Sequence, residues 1–510
     1  MIRETVQGIL HRLIAVGLCV ALTALPIVDE QVWAQETQNK TQTTTAVAQR
    51  PAESPATLRS YLDKPYEELF RVAPTVHFTQ QEYEQQRELL KQGESACRKR
   101  FSNDASTFGK AVEAARKQLK QGGASISDRQ RHALHCTIQN QEMLRSEAKM
   151  LTDHAIPTAY DNLFAKLDLL QNWPTQYLDI KAEITTGAYH NRRWGDVKDI
   201  GFRDIAPGQE KDVKRGQDAV RELRRMGLLP PDLENKAIQS YVRSVGERVA
   251  RNSDLKVPLH ITVLQSREIN AFALPGGYLF VERGLLEAAD NESELAGVIA
   301  HEIAHDTARH SAKMMKRATI ASLFYQAAQI AAVILTGGVA GIGLYYALQY
   351  GFYGLGLVIN LKLLGVSRDY ELEADQLGVQ YAWKAGYDPA GFLNFFDKMA
   401  TRVGYVNGVS WFRTHPPFYQ RMVDAEREIM FLPKQEKMTV QTPEFLEMKK
   451  ELKPIVVQQE KEEKGKPSLL IQREEGCTPP PKIEYTPGQP IEQLCQGTRP
   501  TAHGAGSDSQ

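Results

Sequence analysis

The chain has 510 residues, with Lys plus Arg and Asp plus Glu both at 62, so its formal net charge is zero. That length accommodates two or three domains with full cores. A balanced charge supplies no overall field for nucleic acid or a strongly acidic partner, so neither is expected and function must rest on local constellations.

At the N-terminus, MIRETVQGILHRL carries Arg3 and Arg12 ahead of the apolar run LIAVGLCVALTALPIV, and VWAQ offers a small-residue cleavage site after Ala34. The pattern predicts a signal peptide over residues 1–34, and hence an exported protein. Cys19 invites lipid attachment, but Leu18 stands where such signals need a small residue, so none is expected. Residues 35–58 are polar and poor in aromatics and read as a disordered leader.

Four cysteines remain once the signal is removed: Cys97, Cys136, Cys477 and Cys495. An even number in an exported chain predicts disulfides. Three pairings are open, and the local ones, Cys97–Cys136 and Cys477–Cys495, close the shortest loops. None of the four shows C-x-x-C spacing, so a thiolate metal site or redox motif is not expected.

Residues 59–175 read as a helical accessory domain. QQEYEQQRELLKQGESACRKRF and SDRQRHALHCTIQNQEMLRSEAKML repeat their apolar positions every three to four residues. The turn QGGAS between them predicts two antiparallel helices, which would bring Cys97 and Cys136 within bridging reach. Their charge runs are solvated faces, and no chemistry is expected here.

The next unit spans 200–435. LHITVLQS alternates as a strand, and AFALPGGYLFV holds two strand-like runs around Pro275-Gly276-Gly277. Beyond them the chain is helical. In NESELAGVIAHEIAHDTARHSAKMMKR, Asn291 with Glu294 three residues on marks a helix start close to a capping box. His301 and His305 then lie one turn apart on one face, where both imidazoles reach one zinc at about 2.0–2.1 Å. Glu302, beside the first of them, is placed to take a proton from a zinc-bound water. His310 lies five residues past His305 and points away from that face. The extended metalloprotease pattern wants Gly at 308 and His at 311, where this chain has Ala308 and Ser311. His310 is therefore a supporting or surface histidine, and the third ligand must come from elsewhere.

SRDYELEADQLGVQYAWKAG, 367–386, is the candidate donor. It sets Glu371 and Asp375 on one helical face and Glu373 on the opposite side. A zinc held by two His and one carboxylate keeps a position open for water and substrate. Asp375 could accept a hydrogen bond from the free N–H of a ligand histidine. Spacing alone leaves an ordinary acidic helix start as an equal reading.

HEIAH followed by SRDYELEAD resembles the zinc metallopeptidase family that includes the bacterial HtpX and BepA proteases and the CAAX prenyl endopeptidase. NAFALPGGYLFV (270–281) is similar to the strand before that family's active-site helix, and THPPFYQR (414–421) to its His-Pro element. The resemblance covers roughly 200–430. It implies Glu371, the first Glu of E-x-x-x-D, as the third ligand of one Zn²⁺ per chain, with Glu302 as general base. His415 and Arg421 are then candidates to meet the oxyanion. Ala271, Phe272 and Ala273 are candidates to pair with an extended substrate as an added strand.

Between the two ligand helices, residues 318–361 carry no charged side chain. The stretch is long enough for a two-span hairpin. However, both flanks are basic (Lys313, Lys316, Arg317; Lys362, Arg368), which opposes spanning in an exported domain. A helical lid, or a membrane-associated hairpin, is expected. Residues 436–510 are rich in Glu, Lys, Pro and Gln and read as a low-complexity tail pinned by one disulfide.

The expectation is thus an α+β, mainly α protein, with a zincin-like metalloprotease domain, a small sheet and an N-terminal helical accessory domain. The resemblance implies a periplasmic, envelope endopeptidase for unfolded or misassembled proteins, in contact with a membrane surface or the outer-membrane assembly machinery. The alternative is an envelope chaperone or assembly scaffold with a gated or inactive zinc site.

Overall fold

The computed structural model describes residues 55–123, 125–188, 194–225, 229–315, 368–399, 420–463, 476–478 and 491–497. The signal peptide, most of the leader, the uncharged stretch 318–361 and His415 lie outside these residues. Among these residues the chain is mainly helical with one small sheet, as the patterning predicts.

Five helices open it: α1 (Pro55–Leu62), α2 (Tyr66–Val72), α3 (Gln80–Gly122), α4 (Asp128–Met150) and α5 (Ile156–Thr186). The first begins inside the segment expected to be leader. Capping boxes start α3 (Thr79 with Glu82) and α4 (Ser127 with Gln130), each satisfying two backbone donors at the helix end. The two helices form an antiparallel hairpin, in which Arg116 pairs with Glu142 and Arg145 lies against Gly109.

The disulfides differ from the local pairing. Cys97 bonds Cys495 and Cys136 bonds Cys477, across 398 and 341 residues. Helix rise explains why: Cys97 stands about 38 Å from the hairpin turn and Cys136 about 12 Å, so they cannot be level.

The second half runs through α6 (Val213–Arg225), α7 (Lys236–Ala250), β1 (His260–Leu264), β2 (Ala271–Leu274), β3 (Tyr278–Glu282) and α8 (Arg283–Ala288). There follow α9 (Glu292–Thr307), α10 (His310–Met315), α11 (Arg368–Lys384), α12 (Ala390–Lys398) and α13 (Gln420–Phe431). The sheet order is β1-β3-β2, with β1 parallel and β2 antiparallel to β3. The β2–β3 turn needs glycine. Gly277 has φ +88°, and a Cβ there would lie 2.2 Å from the carbonyl oxygen of Pro258.

Every residue of α9 is buried, so this helix is the centre of the fold rather than an amphipathic surface element. Asn291 caps it by accepting the Glu294 N–H (3.0 Å), while the Glu294 carboxylate accepts from Asp290 N (2.9 Å) and pairs with Lys398. Across from it, α11 approaches closely because residue 378 is glycine. A Cβ on Gly378 would sit 3.0 Å from His301 Cα.

One apolar cluster runs from Phe70 and Trp173 to Val298, Phe396 and Leu452, so the N-terminal helices share a core with α9. A buried ionic contact crosses the same boundary. Asp397 on α12 accepts from the Tyr66 backbone N–H (3.0 Å) and faces Lys166 Nζ on α5 at 3.9 Å.

The tail is not structureless where it is described. Helix α14 (Pro443–Glu463) buries Phe445, Met448 and Leu452 on one side. Lys449 Nζ donates to the carbonyls of Leu286, Glu287 and Ala289, closing the C-terminus of α8. Helix α15 (Ile491–Gln496) is joined to α3 by Cys495, and Arg100 donates to the carbonyls of Leu494, Cys495 and Gly497. Two disulfides, rather than one, hold this region. Its charge-rich composition hides a helical apolar spacing.

Candidate metal centre

His301 and His305 project from one face of α9, and α11 lays Glu371 across them. The two Nε2 atoms are 3.0 Å apart, His301 Nε2 lies 3.6 Å from Glu371 Oε2, and His305 Nε2 lies 3.4 Å from Glu371 Oε1. Ligands about 2.0–2.2 Å from a tetrahedral zinc would be about 3.3 Å from one another. The triangle therefore has the size that such an ion needs.

The outer nitrogens decide which lone pairs face inward. His301 Nδ1 faces Asp375 Oδ1 at 2.9 Å, a placement that suits its N–H on the carboxylate side and its Nε2 lone pair on the Glu371 side. All three donors are buried, Glu371 and His301 completely. Three inward lone-pair groups, one of them anionic, form a group that could hold a cation. The residues fit zinc.

Asp375 is itself gripped. Arg421, 1% exposed, donates from Nε to Asp375 Oδ2 (2.5 Å) and from Nη2 to Oδ1 (2.6 Å), and its Nη1 lies 2.8 Å from Glu371 Oε2. Burial raises the Asp375 pKa, but the Arg421 guanidinium outweighs it and holds the carboxyl below its ordinary value. Burial pushes His305 down to about 4, which keeps its ring neutral as a ligand must be. Burial also opposes a charge on His301, but Asp375 and Glu371 reverse the direction and raise it. Arg421 thus meets the site through the two carboxylates Asp375 and Glu371. Glu302, 1% exposed, follows His301 on α9, and the charge of Arg421 is felt there too.

The sheet edge lies beside this centre. Glu282 N donates to Asn270 O (2.9 Å), so along β2 the backbone groups of Phe272 and Leu274 turn to β3 while those of Ala271 and Ala273 turn outward. Among the described residues β2 is the outer strand, although the side chains of Ala271, Phe272 and Ala273 are buried. Ser311 on α10 donates to the outward carbonyl of Ala273 at 3.0 Å.

Asp306 has a part that the sequence reading missed. Its two oxygens accept the N–H groups of Gly276 (3.0 Å) and Gly277 (2.5 Å), fastening the hairpin turn to the residue after His305. Burial lifts its pKa to about 7 against those two bonds. The only advance signal was an acid beside a ligand and a Gly-Gly turn elsewhere.

His310 is not a surface residue. It is fully buried, with Nδ1 2.9 Å from His305 Nδ1 and Nε2 3.1 Å from Glu373 Oε2. Ala308 ends α9, and Arg309 adopts φ +60° with its guanidinium on Asp212 (2.6 and 3.1 Å). This left-handed residue turns the chain so that His310 returns to the metal face.

Among the described residues, no helix is long and apolar enough to cross a membrane. A further cluster of potential ligands, His132 with Cys136 and Cys477, is committed to the Cys136–Cys477 disulfide.

Residues 236–429 match the model of peptidase family M48. The chain is 30% identical over 224 residues to a beta-barrel assembly-enhancing protease of Yersinia pestis, covering 42% of this chain and 43% of the relative. It is 34% identical over 211 residues to a putative beta-barrel assembly-enhancing protease of Vibrio cholerae, with 40% and 41% covered. It is also 32% identical over 231 residues to the mitochondrial metalloendopeptidase OMA1 of Schizosaccharomyces pombe, with 44% and 62% covered. The chain spans less than two thirds of each of these relatives.

Proposed function

We propose, from the peptidase family M48 domain that residues 236–429 form, that the chain is a zinc-dependent endopeptidase hydrolysing peptide bonds in unfolded or misassembled cell-envelope proteins. The observation that carries the reading is the buried triangle of His301, His305 and Glu371 with Glu302 on the same helix.

His301, His305 and Glu371 would hold the ion, and a bound zinc would supply Lewis acidity and lower the pKa of the attacking water. Asp375 keeps His301 in the tautomer that presents Nε2. Arg421 offsets the two buried carboxylates, which would otherwise repel each other and take up protons. Glu302 accepts the proton of the attacking water and passes it to the leaving amine. We assign Arg421 to holding Asp375 and Glu371, and keep His415 as the group that meets the oxyanion. The outward backbone of Ala271, with the outward N–H of Ala273 beside it, offers an extended substrate a place in the ladder, while the Ala273 carbonyl is held by Ser311.

The envelope setting is supported by the N-terminal export pattern and by two disulfides, which persist in oxidising compartments. The relatives named for beta-barrel assembly support the outer-membrane assembly machinery, or a membrane surface beside it, as the partner. The uncharged segment 318–361 is kept as a lid or membrane-associated hairpin.

The test compares cleavage of an unfolded protein by the zinc-loaded chain and by Glu302→Gln. Cleavage by the first, with a loss of about 10²–10⁴-fold in a variant that still holds zinc, is the expected result. If zinc binds and neither chain cuts, the endopeptidase reading fails in favour of a binding protein with a gated site.

A further inference from the structure

The two ligand histidines are supported on their outer nitrogens by different devices. For His301 it is a carboxylate, Asp375, at 2.9 Å. For His305 it is another imidazole, His310, whose far nitrogen in turn meets Glu373. With both rings neutral, this chain has one consistent arrangement of protons. A carboxylate only accepts, so His310 donates Nε2–H to Glu373 Oε2 and its Nδ1 becomes an acceptor. His305 must then donate Nδ1–H to His310, which leaves the His305 Nε2 lone pair facing Glu371 and His301. Both histidines are thereby locked in the same ligand tautomer from opposite sides.

The geometry points to His310 and Glu373 as positioning residues for the metal, forming a Glu373–His310–His305 relay that fixes the tautomer and ring plane of His305. This rests on the zinc reading above. Three details make His310 a built part of the site. It is fully buried, its ring stacks on Tyr370 at 4.4 Å and 12°, and the left-handed Arg309 that delivers it is itself anchored on Asp212. Tyr370, Glu371, Glu373 and Asp375 all lie on the first turns of α11. The Glu371-Leu-Glu-Ala-Asp375 stretch therefore supplies one acid to the metal, one to the support of His301 and one to the support of His305.

The experiment measures Zn²⁺ affinity by competition with a chelator of known affinity, and thermal unfolding of the metal-free forms, for five chains: wild type, three single variants and one double variant. His310→Phe keeps a ring on Tyr370 but removes both nitrogens, and is expected to weaken zinc by about 10–100-fold without lowering the metal-free melting temperature. His310→Asn returns an acceptor oxygen near the Nδ1 position and is expected to recover most of that loss, which a packing role would not produce. Glu373→Met is expected to weaken zinc in the same direction. In His310→Phe it is expected to add nothing, because the relay carries the effect of Glu373 on zinc through His310. A wild type that binds zinc tightly, matched by His310→Phe or accompanied by additive losses, overturns the relay alone. A wild type that takes up no zinc overturns both the relay and the metallopeptidase reading.

Discussion

Arg421 grips both oxygens of Asp375 and reaches Glu371 with its remaining terminal nitrogen, so one buried cation from α13 fastens two carboxylates of α11. Substitution by Met leaves those two buried acids facing each other without their cation. The metal-free chain is expected to lose about 3–5 kcal/mol. Zinc should narrow the gap to wild type, because the ion replaces part of the lost charge. Thermal unfolding of both chains with and without zinc checks this. An equal gap in the two conditions would show that Arg421 has no electrostatic link to the metal centre.

Glu426, also on α13, is a half-buried acid in a different setting. Burial, then the charges of Glu67 and Asp388, raise its pKa from 4.5 to about 7. The folded form binds this proton more tightly than the unfolded one, so the stability it gives is complete below about pH 4.5 and lost as pH rises towards 7. Glu426→Gln removes that loss. The variant is expected to exceed wild type by up to about 3 kcal/mol at pH 8 and to match it at pH 4, measured by denaturant unfolding. A gap independent of pH would sink the account.

The disulfide connectivity makes a direct prediction for mass spectrometry. Under non-reducing digestion, the peptide containing Cys97 should carry that of Cys495, and the peptide containing Cys136 should carry that of Cys477. Replacing Cys97 and Cys495 together by Ser is expected to cost about 2–4 kcal/mol. Recovery of a Cys97–Cys136 peptide would contradict the fold.

At the hairpin, Gly277→Ala forces a Cβ into the carbonyl of Pro258 from a backbone conformation that alanine avoids. A loss of at least about 2 kcal/mol is expected. Zinc affinity should change little, since the turn is fastened to Asp306 rather than to a ligand. Calorimetry and zinc competition on the same preparation separate the two effects.

The parts of the site that repeat at helical spacing were legible. Four-residue steps put His301 with His305 and Glu371 with Asp375, and a period of 3.6 suffices to align them. What spacing could not reveal was any contact made after the helix stops. A continued α9 would carry His310 well round from His305, and Arg309, not the usual glycine or asparagine, gives no notice of the left-handed turn that reverses it. The same limit explains Asp306 and the Gly276-Gly277 turn, which are about thirty residues apart. The cysteine count announced bridges, but their partners depend on where a 43-residue helix ends, which only tertiary structure sets. The apolar stripe of α14 was present at 445, 448 and 452, and outweighed in composition by its Lys and Glu.

The two long-range bridges also make the chain a covalently closed ring. Residues 137–476, which include every metal-site side chain, lie between Cys136 and Cys477, and Cys97 and Cys495 close a second clasp outside them. A backbone cut anywhere in that interval, including within the uncharged stretch, yields two pieces that stay linked at two points. Nicking by another protease, or by a second copy of this chain, therefore releases nothing in an oxidising compartment. Under denaturing, non-reducing conditions the nicked chain remains one species, and only a reductant divides it.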